Sequence, residues 1–114
     1  MASELTSKRC LPCEGGIPKL QSDQIDALLP DVPGWSVSSD GRWLERKWSL
    51  PDFRKAVQWF QTIADLADAE DHHPDLHLTG YRKVRIAITT HAVGGLTEND
   101  FILAAKISEL PLPE

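Results

Sequence analysis

The stretch that decides the fold runs Trp35-Ser-Val-Ser-Ser-Asp-Gly-Arg-Trp-Leu-Glu-Arg-Lys-Trp-Ser-Leu50, followed at once by Pro51 and Phe53. Trp35 and Val37 alternate with polar residues, which predicts a strand with one buried face. Asp40-Gly41 comes next, a pair that tolerates positive φ, and beyond it Leu44, Trp48 and Leu50 share a second alternating parity. Two such runs around Asp-Gly predict an antiparallel hairpin. Glu45 and Lys47 fall on its other face, toward water or a ligand. Pro51 suits a helix start, because its missing N–H would be unpaired there anyway. Phe53, Val57, Phe60, Ala64 and Ala67 then recur at helical spacing, so that face is expected to lie on the sheet.

Upstream, Ser22 is expected to cap an amphipathic helix carrying Ile25, Leu28 and Leu29, which Pro30 and Pro33 end. Downstream, helical periodicity fades near Ala69, and Pro74 forbids continuation. His72 and His73 therefore fall where a helix gives way to a strand. Leu76 and Leu78 begin that strand and Gly80 marks a turn; Val84, Ile86 and Ile88 then alternate with Arg85, Ala87 and Thr89. His91 closes this second hairpin with the second parity, facing away from the helix-covered side. After Gly94-Gly95, Thr97 is a good N-cap, with Asp100 as the acid of a capping box for a helix over about 98–110. The order helix, hairpin, helix, hairpin, helix gives an α+β fold: a four-stranded antiparallel sheet with three helices packed on one face. The last helix is apolar nearly all round, so a second copy of the chain is expected to cover its outer side.

The 114 residues suit one domain. We read residues 17–114 as that domain and residues 1–16 as an irregular arm. Hydrophobic residues at 41% and charged residues at 25% are ordinary for a globular chain. A net charge of −5 disfavours direct nucleic-acid binding. No apolar run is long enough to span a bilayer, and Met1 to Arg9 lack a signal-type hydrophobic stretch; a bacterial cytoplasmic protein is expected, with a mature organelle form that has shed a transit segment as the alternative. Cys10 and Cys13 form one C-x-x-C in a Pro/Gly-rich arm, half a zinc ligand set and poorly placed for redox work.

Of the four histidines, three stand at element ends, and Asp68, Asp71 and Asp75 surround His72-His73. Three uses compete. Imidazoles and carboxylates can hold zinc, but adjacent histidines diverge on a regular element, unlike a helical i, i+4 pair. Nucleophilic catalysis lacks a serine or cysteine in a suitable setting. Acid–base chemistry fits better, since imidazole titrates near neutrality and a neighbouring carboxylate fixes its tautomer. Acid–base work ranks first, metal binding second and a structural role close behind.

The run Asp68-Ala-Glu-Asp-His72-His73-Pro74, then six residues to Tyr81, nine to His91 and eight to Asp100, resembles the signature of the pterin-4a-carbinolamine dehydratases. Thr90-His91-Ala-Val-Gly-Gly-Leu-Thr-Glu-Asn-Asp100 strengthens the likeness, which extends from about Ile17 to Leu110; the arm and His-His-Pro-Asp-Leu-His-Leu are similar to a plant and bacterial branch. The resemblance implies elimination of water from a 4a-hydroxytetrahydropterin to a quinonoid dihydropterin, in support of pterin recycling. The pterin is the substrate, and neither a metal nor an organic cofactor is expected. It implies a homodimer or homotetramer through the C-terminal helix. It makes His72 and His91 the acid–base pair, in either order, and His73 the histidine that holds the pterin. Asp71 and Asp100 become orienting carboxylates, and Thr90 joins the substrate-binding set. Leu76 stands where many animal members carry a stacking tryptophan, a loss that Trp43 or Tyr81 is expected to make good. The family also contains partner-binding members, so a non-catalytic assembly or coactivator protein is the alternative. Retention of all three histidines with Asp100 favours catalysis.

Overall fold

In a computed structural model, residues 4–10 and 17–113 are described. The first hairpin joins β1 (Ser36–Val37) to β2 (Leu44–Ser49), with Val37 opposite Leu44. Its turn differs from the expected pair of positive-φ residues, since only Gly41 takes that conformation, at φ 73°. Asp40 holds the turn by accepting from Ser38 Oγ at 2.6 Å and from Arg42 N–H at 3.0 Å. Those bonds, Ser38's first, keep its carboxyl below the usual value.

The second hairpin joins β3 (Asp75–Thr79) to β4 (Lys83–Ile88). Its three-residue turn carries Gly80 and Tyr81 at φ 54° and 57°. All pairings are antiparallel and the strand order is β1-β2-β4-β3. Leu44, Val84, Ile86 and Ile88 fill one face and join the core, with Trp48, Leu76 and Leu78 partly buried beside them.

Three helices cover that face: α1 (Ser22–Leu28), α2 (Phe53–Glu70) and α3 (Glu98–Glu109). Two starts shift from expectation. Gln21 rather than Ser22 caps α1, its N–H bonded to Gln24 Oε1 at 2.8 Å. Asp52 caps α2 through Lys55 N–H, so Pro51 lies just outside the helix. The buried face of α2 is also corrected. Ala56, Trp59, Ile63 and Ala67 face the core, while Phe53 and Val57 are 55% and 38% exposed. The helix is turned about one residue, roughly 100°, from the expected orientation. Trp59 explains the turn: its indole meets Trp48 edge-on at 4.6 Å, and Trp48 meets Trp35 the same way at 5.6 Å. Burying this aromatic row removes more apolar surface from water than burying Phe53 and Val57 near the start of the helix.

The last helix is buried from Asn99 to Ala105 and at Ile107. Part of its outer side is covered from within the chain. A 3-10 turn, Glu4–Ser7, packs against α3 and buries Leu5 to 3% exposure. The described part of the arm is therefore structured rather than irregular. Lys8 to Glu98 at 2.8 Å ties it down further. The apolar stripe left open lies on α2, at Phe53 and Val57.

Candidate active site

Strand direction gathers the sequence-predicted residues at one end of the sheet. Because β4 runs antiparallel to both neighbours, its C-terminal end lies beside the starts of β2 and β3. His91 follows that end of β4, Trp43 precedes β2, and His72-His73-Pro74 precede β3. Neighbouring strands lie about 4.8 Å apart, so these positions share a strip about 10 Å wide. Tyr81 lies in the β3–β4 turn, at the opposite end, and is no replacement for the missing tryptophan. Trp43 lies at the same end as the histidines, its ring meeting His91 edge-on at 5.9 Å.

At the end of α2, Asp71 adopts a left-handed conformation (φ 53°, ψ 39°), which turns the chain sharply and sends the next side chain inward. His72 is only 6% exposed, and its Nε2 lies 2.7 Å from Oδ1 of Asp100, which is fully buried. The second oxygen of Asp100 accepts from Thr90 Oγ1 and from Thr97 N–H, both at 2.8 Å. Thr90 Oγ1 and Thr97 Oγ1 are 2.9 Å apart. The acid of the capping box is thus also the partner of a histidine from another element. A carboxylate that only accepts requires Nε2 of His72 to carry the proton, which fixes the tautomer. Three donors on one carboxylate are what a buried charge needs.

The other two histidines face solvent. His73, with a side chain 58% exposed, places Nε2 3.0 Å from Oδ1 of Asp68, one turn back in α2. His91 is exposed and opens a 3-10 turn, His91–Val93, rather than closing β4. Of the expected pair, His91 is exposed and His72 is buried, so the accessible imidazoles at this end of the sheet are His73 and His91. Thr90 is buried and supports Asp100, while the exposed Asp71 supplies the turn. Leu76 lies on the helix-covered face and packs against the core. His77 is on the opposite sheet face, apart from the site.

A second buried network, absent from the sequence reading, braces the elements that carry His72 and Asp100. Glu70, at the end of α2, accepts from Lys106 Nζ at 2.6 Å and from Cys10 N–H at 2.9 Å. Burial pushes the Glu70 carboxyl upward, but the bonds from Lys106 and Cys10 outweigh it and hold the group below its usual value. Cys10 Sγ donates to Asn99 O at 3.6 Å. Burial, reinforced by Glu70, raises this thiol to about 12. Such a group is neutral and a poor metal ligand or nucleophile. Cys13 lies outside the described residues. Among the described residues, no three or more His, Cys, Asp or Glu are grouped to hold a metal, and no helix is long and apolar enough to cross a membrane.

Comparison with known proteins gives consistent results. A family model described as pterin 4 alpha carbinolamine dehydratase matches residues 18–110. The mitochondrial pterin-4-alpha-carbinolamine dehydratase 2 of Arabidopsis thaliana is 46% identical over 115 residues, covering 98% of this chain. The chain spans only 62% of that relative's length. A relative from Halorhodospira halophila is 42% identical over 106 residues, covering 93% of this chain and 96% of its own. Among solved structures, a transcriptional coactivator/pterin dehydratase from Brucella melitensis superposes with a TM-score of 0.74 at 26% identity, covering 80% of this chain and 96% of that one.

Proposed function

The chain belongs to the pterin 4 alpha carbinolamine dehydratase family, and on that premise we propose that it eliminates water from a 4a-hydroxytetrahydropterin by histidine acid–base catalysis. The observation that carries the mechanism is the split among the histidines: two exposed imidazoles at one end of the sheet, and a third buried against Asp100. In this reading His73 and His91 meet the pterin. One donates a proton to the departing 4a-hydroxyl. The other takes the proton from the adjacent ring nitrogen, whose electron pair closes the C=N bond as water leaves. Each well-placed proton transfer contributes about 10²–10⁴ in rate. Asp68, 3.0 Å from His73 Nε2, orients that imidazole at the edge of the site. His72 acts through position: held by Asp100, it fixes the junction from which His73 projects. Trp43, beside His91, offers a flat apolar wall for the pterin ring.

No metal or organic cofactor enters this chemistry, and a cytoplasmic role in pterin recycling completes the reading. Self-association is better carried by the open stripe of α2, Phe53 and Val57, than by α3, which the arm already covers. The same stripe favours a second reading, a partner-binding protein of this fold, in line with the Brucella melitensis neighbour, a transcriptional coactivator/pterin dehydratase. The deciding experiment is a direct dehydration assay on synthetic 4a-hydroxytetrahydropterin, with and without exhaustive chelation. We expect acceleration over the spontaneous rate that chelation leaves intact. A rate equal to the spontaneous one would leave only the partner-binding reading, and loss on chelation restored by zinc would reinstate a metal.

A further inference from the structure

The sheet face turned away from the helices carries a concavity of about 500 Å³, lined by Trp48 and Val84 and by the polar residues Lys47 and Ser49 of β2, His77 and Thr79 of β3, and Lys83 and Arg85 of β4. The antiparallel register sets these side chains in two cross-strand rows, Lys47–Arg85–His77 and Ser49–Lys83–Thr79. Directly opposed side chains stand about 5 Å apart at Cβ, and like charges so placed destabilise a sheet. Packing does not require these cations, since Lys47, Ser49, Thr79 and Lys83 are exposed. Local relief is small. Arg85 meets Glu45 at 3.3 Å in a pair that is about one-third exposed. The other acid on this face, Asp75, shares the next row with Glu45 across Ala87. Neither acid lines the concavity. A chain with net charge −5 thus gathers three permanent cations, an imidazole and two hydroxyls around one hollow.

We propose that this hollow is a second binding site, for a small molecule carrying two linked phosphates. An arginine fork beside lysine point charges is the donor set that phosphate oxygens favour. The Lys47–Arg85–His77 row crosses two interstrand spacings, about 10 Å, which a diphosphate spans better than a single carboxylate. The volume is that of a small-ligand site. The location separates it from the histidines, because Lys83 begins β4 and His91 follows its end. Ligand bound here acts beside the dehydration site, not within it.

The test is a titration of the full chain with pyrophosphate at fixed ionic strength, followed by backbone amide shifts, with orthophosphate and citrate as parallel arms. We expect saturable shifts concentrated at residues 47–49, 77–79 and 83–85, and binding of orthophosphate at least tenfold weaker. The double variant Lys47→Glu, Lys83→Glu is expected to weaken pyrophosphate binding at least tenfold while leaving the dehydration rate unchanged and the melting temperature no lower than that of wild type, since it relieves the repulsion between Lys47 and Arg85. Should that variant fold poorly, the single exposed change Lys47→Gln carries the same expectation, a measurable loss in affinity. Non-saturable shifts, shifts centred on His72 to His91, or undiminished binding by the variants would overturn the site. Citrate binding as tightly as pyrophosphate would overturn its assignment to phosphates.

Discussion

His72 and Asp100, 28 residues apart, meet through an Nε2 to Oδ1 bond of 2.7 Å, and the same carboxylate closes the capping box of α3. One side chain therefore fixes both the start of a helix and the setting of a histidine. Removing it does two kinds of damage. Loss of the cap costs about 1 kcal/mol, and a buried imidazole left without its carboxylate costs about 1–3 kcal/mol more. Asp100→Ala is expected to lower stability in urea unfolding by the sum. A double-mutant cycle with His72→Ala should give a coupling of about 1–3 kcal/mol. Additive losses would mean that the two side chains do not depend on one another.

Glu70 makes stability depend on pH in a defined direction. Its carboxyl is held below its usual value of 4.5 in the folded chain, with Lys106 and Cys10 N–H favouring the charged form against burial. A depressed folded-state value adds stability that is present above 4.5 and lost as pH falls through the lower folded value. Glu70→Gln should therefore cost about 1–3 kcal/mol at neutral pH, and the gap to wild type should close as the solution is acidified below the usual carboxylate range. Chemical denaturation of both proteins from pH 7 to pH 3 measures it; a gap independent of pH would remove the charged pair from the explanation.

The orientation of α2 is equally open to test. Ile63 is fully buried and Val57 is 38% exposed. Ile63→Ala should cost about 2–5 kcal/mol in unfolding free energy, whereas Val57→Ala should stay within about 0.5 kcal/mol for the monomer. Equal costs, or the reverse order, would return the buried face to the Phe53 stripe. If Val57→Ala is costly only at high protein concentration, the stripe is a subunit contact, because mass action then couples stability to association.

Much of the architecture was legible in the residues for a simple reason. Strand alternation and turn chemistry are local, so both hairpins, the break at His72 and the Thr97–Asp100 box follow from neighbouring residues alone. The inner face of α2 was not, since two stripes satisfied helical spacing and only the contact of Trp59 with Trp48 decides between them. The cover of α3 was hidden because Leu5 reaches it from the far end of the chain. At the site, the residue types and their convergence were readable, but which imidazole is buried and which are exposed was not. The left-handed Asp71 buries His72 and exposes His73, a consequence of one backbone angle that no spacing rule contains. The cationic rows on the open face likewise emerge only when register sets Lys47 opposite Arg85.

The most direct measurement is the dehydration rate of synthetic 4a-hydroxytetrahydropterin by wild type, His73→Ala, His91→Ala and the double variant, each across pH 5–9 and each checked for folding. We expect a bell-shaped profile for wild type, from one imidazole protonated and one neutral. Each single variant should lose about 10²–10⁴ in rate and one limb of the bell, with the double variant near the spontaneous rate. A folded double variant that keeps the wild-type rate and profile would contradict histidine acid–base catalysis by this protein.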